Sequence, residues 1–548
     1  MNAGGAATAA TRKSQIANQK LQIHTHCVIG SGPAGVACAG ALLARGAKVL
    51  MLDAGIKLEP ERARIVSDLA QKKCSEWQPS EIAAVHGDAD ADLKGLPVKK
   101  LFGSDFPYRE SAEKIPWRGQ DVAVCPSLGF GGLSNVWGAA MLPFRDDDIS
   151  DWPIKNADLA QHYRAVAEMT GLSGRHDGLE EVLPLHVDNP ASLKPSRQAT
   201  SFLASLERHR ETLRARGWHF GQSRLGVRAA DSPRGAGCVY CGYCLTGCVY
   251  GCIYNAADTV RELQRQENFH YESDVIVTKV REQSGTVVIE GFHRLAGKPL
   301  SFEAGRVYLA AGVIPTAQIV LRSQDAFDRP LTLRDSQYFL FPIVRVRGVR
   351  DVQAEALYTL SQAFLELSHP RIGRHSVHLQ IYTYSDTIAG AVRRSLGPLK
   401  LFARPILERL LIVQGYLHSD ESAAIQMTLK RDGTKDFLQL EPALNPQTTG
   451  AVKRVLRELQ GQFRALGGFV VPPMLQIAKP GRGFHCGGSL PMRAQPGDFE
   501  TDTLGRVRGW SRVHVVDASV LPAVPATTIT FSVMANAHRI GWETASAG

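Results

Sequence analysis

Nowhere in this 548-residue chain do 18 or so apolar residues follow one another, so the sequence offers no membrane-spanning helix. The N-terminal stretch, MNAGGAATAATRKSQIANQ, lacks the apolar core of a secretory signal and reads as a polar arm rich in small residues. No block of like charge stands out. The net charge of +10 is spread along the chain rather than gathered into a tract of the kind that grips nucleic acid. No internal repeat is evident. A charged fraction of 21% with 44% hydrophobic residues excludes a disordered or fibrous chain. Ten cysteines without a leader imply a reducing compartment, so a cytoplasmic enzyme is expected. Export on a partner subunit's signal would leave no trace in this sequence.

Half of those cysteines crowd into fifteen residues: Cys238, Cys241, Cys244, Cys248 and Cys252. The first four are spaced C-x2-C-x2-C-x3-C, as in bacterial ferredoxin-type loops that wrap an iron–sulfur cluster in thiolates. Gly242, Gly247 and Gly251 let the backbone curl around such a cluster. Structural zinc more often takes two cysteine pairs across a longer loop. Disulfides fit poorly, because five cysteines cannot all pair and close neighbours rarely meet the geometry. The spacing favours iron–sulfur; zinc and a metal-free turn stay open as alternatives.

Residues 23–29 form a short strand that runs into Gly30-Ser-Gly32-Pro-Ala-Gly35, then a helical stretch, then the strand KVLMLDAG ending at Asp53. Strand, glycine turn, helix, strand and acid together are the dinucleotide-binding pattern. Gly30 makes the tight turn, Gly32 lets a pyrophosphate approach the backbone, and Gly35 lets helix and strand pack closely. Asp53 is placed to meet ribose hydroxyls. This end alone does not separate FAD from NAD.

The C-terminal end does. Phe484-His485-Cys486-Gly487-Gly488, the run Asp517-Ala-Ser519-Val-Leu-Pro522 and the closing PATTITFSVMANAHRIG resemble the glucose–methanol–choline (GMC) family of FAD-dependent oxidoreductases. Leu128–Phe144 is similar to the glycine-rich flavin loop of that family, with Gly131, Gly132 and Asn135 as its contacts. Asp151-Trp152-Pro153 and Tyr308–Leu321 are similar to further family segments. The resemblance covers about residues 23–155, 238–322 and 475–545. It implies an α/β fold in which a Rossmann-like FAD-binding domain interlocks with an antiparallel-sheet substrate domain. It implies His485 as the base that removes a hydroxyl proton while hydride leaves the carbon, a role that suits imidazole. It also places Asp517 and Pro525 beside the cofactor.

Two departures matter. Family members carry a second His or Asn before a proline near the C-terminus, and Val524 stands at that position before Pro525. Valine cannot bond a substrate hydroxyl, which turns attention to Thr527 and Thr528. Pyranose oxidases of the family bind FAD covalently through a histidine in an S-T-H-W stretch, whereas here Ser134-Asn135-Val136-Trp137 has valine in that slot. Non-covalent FAD is expected. The cysteine run resembles that of flavin sugar dehydrogenases of the family, whose cluster ligands follow C-x5-C-x3-C. Cys238, Cys244 and Cys248 match and suit a 3Fe-4S cluster; Cys241 would permit 4Fe-4S, with Cys252 in reserve.

The expected activity is thus oxidation of an alcohol or sugar hydroxyl, with electrons leaving through the cluster to a cytochrome, quinone or other acceptor. Rival readings are an oxygen-using oxidase with a metal-free cysteine loop, a flavin isomerase on sterol-like substrates and an electron-transfer subunit. The organisation expected is an N-terminal arm at 1–20, FAD-binding segments at 21–155 and 257–330, and a helical cap at 156–237. The cysteine loop then covers 238–256, the substrate domain 331–475 and the catalytic C-terminal segment 476–548. Alternating runs such as FLFPIVRVRG and VHLQIYTY suit a sheet that roofs a substrate pocket. A basic, apolar stretch with Arg393, Arg394, Lys400, Arg404 and Arg409 is expected to be a packed surface helix, with contact to an anionic membrane as the rival reading.

Overall fold

The first strand, His24–Ile29, lies inside a mainly parallel sheet, and its Cys27-Val28-Ile29 end is apolar and buried on both faces. It pairs with Val49–Leu52 on one side and with Pro299–Leu309 on the other. Phe269–Glu272 extends the sheet beyond Val49–Leu52, and Val513–Val515 pairs with the end of Pro299–Leu309. The antiparallel hairpin of Val275–Gln283 and Thr286–His293 continues from the start of that same long strand. The computed structural model describes residues 24–86, 98–433 and 435–545; the expected N-terminal arm at 1–20 lies outside them.

Helix Pro33–Ala44 crosses between the first two strands and is buried along almost its whole length. The closing helix, Thr530–Thr544, packs directly on it. A Cβ at Gly541 would stand 2.7 Å from the carbonyl oxygen of Cys38, so this close crossing needs glycine. Ser532 Oγ on the closing helix accepts from the Phe144 amide at 3.1 Å and bonds the Tyr163 hydroxyl at 2.7 Å. Chain ends 500 residues apart therefore share one core.

A second sheet is antiparallel throughout. Its order is Gly468–Val470, Tyr338–Arg345, Leu410–Tyr416, Val377–Tyr382, Ala363–Leu367 and Trp218–Gln222. The last of these comes from the segment expected as a helical cap, 156–237, which thus contributes an edge strand besides helices. The pleat sends alternate residues to opposite faces. Leu379, Ile381, Phe339, Phe341 and Val413 pack under helices Arg197–Glu207 and Thr448–Gln460. His378, Gln380 and Tyr382 occupy the other face. A smaller sheet, running from Cys486–Gly487 through Pro330–Asp335 and Ala424–Asp432 to Lys435–Ala443 and Trp117–Gly119, joins the two larger ones. The α/β architecture with an antiparallel substrate sheet is the expected one.

Candidate active site and cysteine recess

The glycine turn lies at the C-terminal ends of the parallel strands, where open α/β sheets bind their ligands. Gly30 has φ +107°, and a Cβ there would meet the Ala310 oxygen at 2.4 Å. A Cβ on Gly35 would fall 1.9 Å from the Gly30 oxygen. Both positions therefore need glycine for the backbone itself. Gly32 differs: the nearest atom to its added Cβ is Gly132 Cα, at 3.9 Å. Its side is open, and the second glycine turn faces it. The two turns are tied by Ser31, whose Oγ accepts from the Gly131 amide at 2.9 Å and donates to Asp53 at 2.7 Å.

Asp53 is committed within the protein. Its carboxylate accepts from the Ser31 hydroxyl and amide and from the Tyr271 hydroxyl at 3.0 Å. Burial pushes its pKa up to about 6 against those bonds. Its observed contacts hold the glycine turn, in addition to the ribose contact expected from sequence. Asn135 donates to the Phe130 and Gly132 carbonyls and accepts from Asn255 at 2.8 Å, which fixes the second turn to helix Ala256–Leu263. Asp517 accepts from the Gly312 amide at 3.0 Å and the Thr316 hydroxyl at 2.6 Å, locking a third glycine turn to the C-terminal segment. An open Gly32 facing Gly132, beside a helix N-terminus, is a cradle that fits a dinucleotide pyrophosphate.

His485 stands where the sheets meet. The next residue, Cys486, pairs with Asp335 and donates its thiol to that carboxylate at 3.2 Å. Burial raises Asp335 to about 7. Gly488, Leu490 and Met492 donate backbone bonds to Ala518, Ser519 and Val520, so the histidine motif runs alongside the Asp517 segment. The His485 ring stacks on Tyr416, and Nδ1 is buried with no hydrogen-bond partner among the described residues. Burial, then the neighbouring His378, lowers its pKa to about 3, so it is neutral at pH 7.

Val524, Pro525, Thr527 and Thr528 are all buried. Val524 is fixed through its backbone: its amide donates to Ser419 Oγ at 3.0 Å and its oxygen accepts from the Ser419 amide at 2.9 Å. The two threonines differ. Thr528 donates to the Ala140 oxygen at 3.1 Å, whereas Thr527 Oγ1 has no partner among the described residues.

Sequence reasoning missed the polar face of the substrate sheet. There Glu366 Oε1 and His378 Nδ1 lie 2.5 Å apart, Gln380 reaches His378 Nε2 at 3.2 Å, and the Tyr382 hydroxyl donates to Gln380. The i, i+2, i+4 alternation in Val377–Tyr382 carried that signal. It also missed His375, His418 and Asp420, whose ligand-type atoms lie within 4.8 Å of one another. The two rings stack 3.6 Å apart and 11° from parallel, so their in-plane lone pairs run side by side rather than converge on one ion. His375 bridges Asp420 at 3.1 Å and Asp148 at 3.7 Å, and these carboxylates raise it to about 9. The cluster thus anchors the loop whose Ser419 holds Val524.

The cysteine loop lines a narrow, almost wholly apolar recess with Val227, Tyr358 and Leu360. Gly242, Gly247 and Gly251 all have positive φ, as the sequence suggested. Backbone amides bond the sulfurs of two candidate ligands: Thr359 donates to Cys244 at 3.4 Å and Cys252 to Cys248 at 3.2 Å. Burial raises Cys238 and Cys241 to about 12, while hydrogen bonds, first that of the Cys252 thiol, hold Cys248 low. Lys99 lies beside Cys244 and Cys248, and its ammonium donates to the Trp137 oxygen of the flavin-type loop at 3.0 Å. Among the described residues no three of these sulfurs gather within 4.8 Å. A single zinc, with bonds of about 2.3 Å, requires that convergence; a polynuclear cluster holds its thiolates further apart.

Residues 475–537 match the GMC oxidoreductase family. Among solved structures the chain is similar to pyridoxine 4-oxidase from Mesorbium loti, with a TM-score of 0.61 and 14% identity over 95% of this chain and 99% of that one. No curated protein matches the sequence. The segment that carries His485 is thus of GMC oxidoreductase type, and the chain shares its fold with that oxidase over nearly its whole length.

Proposed function

We propose that the chain is an FAD-dependent dehydrogenase that oxidises an alcohol or sugar hydroxyl to a carbonyl. Its cysteine loop holds an iron–sulfur cluster that serves an external cytochrome or quinone. FAD when bound supplies a hydride acceptor, and the cluster when bound supplies a one-electron carrier. The Gly30–Gly35 and Gly131–Asn135 turns hold FAD; Cys238, Cys241, Cys244 and Cys248 hold the cluster. His485 is neutral, and its Nδ1 makes no bond to any of the described residues, so the imidazole is free to take the hydroxyl proton. The Glu366–His378–Gln380–Tyr382 face offers several hydrogen-bonding groups to a hydroxyl-rich substrate.

The observation that carries the dehydrogenase reading is the recess lined by Cys238, Cys241, Cys244 and Cys248, in which backbone N–H groups bond the Cys244 and Cys248 sulfurs. Such bonds stabilise thiolate ligands. A second reading, an oxygen-using oxidase, is favoured by the likeness to pyridoxine 4-oxidase. Metal analysis of anaerobically purified protein separates them. About three or four irons per flavin, with a paramagnetic signal in one redox state, supports the cluster. Iron-free, fully flavinated protein that makes hydrogen peroxide during turnover supports the oxidase.

A further inference from the structure

The hairpin of helix Asp386–Leu396, the turn Gly397–Phe402 and helix Ala403–Leu407 does not bury its apolar residues as a packed surface helix would. Ala389, Ala403 and Leu407 enter a small core with Val352, Leu357 and Tyr384. Pro398 interrupts the helix, and the residues of the turn face outward. Leu401 is 86% exposed, Phe402 64% and Leu399 59%. Three large apolar side chains exposed within four residues are far from the scattered singles of an ordinary surface.

Their surroundings are basic. Residues 385–409 hold five basic residues (Arg393, Arg394, Lys400, Arg404, Arg409) and two acidic ones (Asp386, Glu408), a balance of +3. Arg393, Arg394, Lys400 and Arg404 are exposed. The neighbouring loop adds exposed Val346, Arg347 and Arg350, and its Val349 amide donates to the Glu408 oxygen at 2.8 Å. Apolar side chains ringed by Lys and Arg match the interface of an anionic bilayer. The apolar groups enter the acyl boundary while the cations stay among the headgroups. A second copy of the chain would bring the same positive ring against itself.

We propose that this hairpin docks the enzyme on an anionic membrane surface, with Leu399, Leu401 and Phe402 inserted. The inference does not depend on the cluster, though it bears on it: Leu357 of the hairpin's core pairs with Cys241, so docking brings the cysteine loop to the membrane side.

The test is co-sedimentation of the full-length flavoprotein with phosphatidylcholine vesicles, with or without phosphatidylglycerol. Binding is expected only to the anionic vesicles and should weaken with salt. Leu401→Glu/Phe402→Glu should abolish it. Arg394→Glu and Lys400→Glu should each weaken it by about fivefold or more, the scale of roughly 1 kcal/mol per surface cation. Flavin content and turnover of a soluble substrate report that the variants are folded and stay as in the parent protein. No binding to anionic vesicles, equal binding to neutral ones, or binding unchanged by the hairpin variants overturns the proposal. So does a dimer in solution that Leu401→Glu/Phe402→Glu converts to monomer, which assigns the patch to a second copy.

Discussion

Tyr416 lies against His485, with ring centroids 4.4 Å apart and planes 27° from parallel. On the strand beside Tyr416, His378 lies 6.2 Å away at 26°. A shared aromatic face, rather than a hydrogen bond at Nδ1, thus orients the candidate base, and that nitrogen has no partner among the described residues.

Replacing His485 with alanine should leave FAD bound but slow flavin reduction by substrate roughly 10²–10⁴-fold, the scale of a lost general base. Tyr416→Phe keeps the stack and should react nearly as the parent does. Tyr416→Ala should lose about two- to tenfold, in line with an aromatic contact. Stopped-flow reduction under anaerobic conditions measures all three. Fast reduction in His485→Ala would move the base elsewhere, with the Thr527 hydroxyl, which has no partner among the described residues, first in line.

The glycines of the first turn should separate folding from binding. Gly35→Ala drives a methyl into the Gly30 carbonyl, with backbone on both sides and nowhere to shift. It should yield little folded protein. Gly32→Val meets open space and should fold, as circular dichroism can show, but its side chain fills the cradle and flavin content should fall to near zero. Full flavin occupancy in Gly32→Val would remove the pyrophosphate from that turn.

This end of the molecule was legible because its signal is local: strand, turn, helix and acid follow within thirty residues. The partners of Asp53 were not, since Tyr271 reaches it from 218 positions away. His485 was found from its motif, but its platform Tyr416 and the Glu366–His378 pair depend on strand register, which one sequence does not fix. Polar alternation in Val377–Tyr382 did mark that strand. The expected packing of the 393–409 helix failed at Pro398, beyond which Leu399, Leu401 and Phe402 have no core to face. In the cysteine loop the ligand candidates were visible, but the Thr359 amide that bonds Cys244 comes from outside it.

Stability should fall in acid. Burial holds His26, His162, His186, His418, His514 and His538 down to about 4 and His485 to about 3. Each is depressed below the unfolded value near 6.5, so below that pH the unfolded chain binds the extra protons. The stability these groups allow is whole above pH 6.5 and is lost as pH falls toward 4. Asp53 and Asp335, raised to about 6 and 7, act oppositely, because folding is favoured as they protonate. His375, raised to about 9, acts with them, since its stabilisation is full below pH 6.5 and is lost as pH rises toward 9. Seven histidines against these three groups set the net sign. Thermal unfolding should show a lower midpoint at pH 5 than at pH 7.5; an equal or higher midpoint at pH 5 would show that these histidines are hydrated in solution.

Colour and metal should divide the cysteines. With Val136 in the slot where a covalent histidine would stand, acid precipitation should leave all flavin in the supernatant; yellow pellets would contradict that. Cys244→Ser and Cys248→Ser each remove a sulfur that faces a backbone donor in the recess, so iron per flavin should collapse in both. Cys252 acts differently: its amide donates to Cys248 at 3.2 Å and its thiol to the Ala236 and Tyr250 carbonyls at 3.6 and 3.8 Å. Serine keeps both donors, so Cys252→Ser should retain iron and the paramagnetic signal, with only a shifted reduction potential. Reduction of flavin by substrate should continue in every variant that folds, because the glycine cradle and His485 lie on other elements. Iron lost equally from Cys252→Ser and Cys248→Ser would make Cys252 a ligand, and zinc recovered in place of iron would require the sulfurs to converge more tightly than the recess holds them.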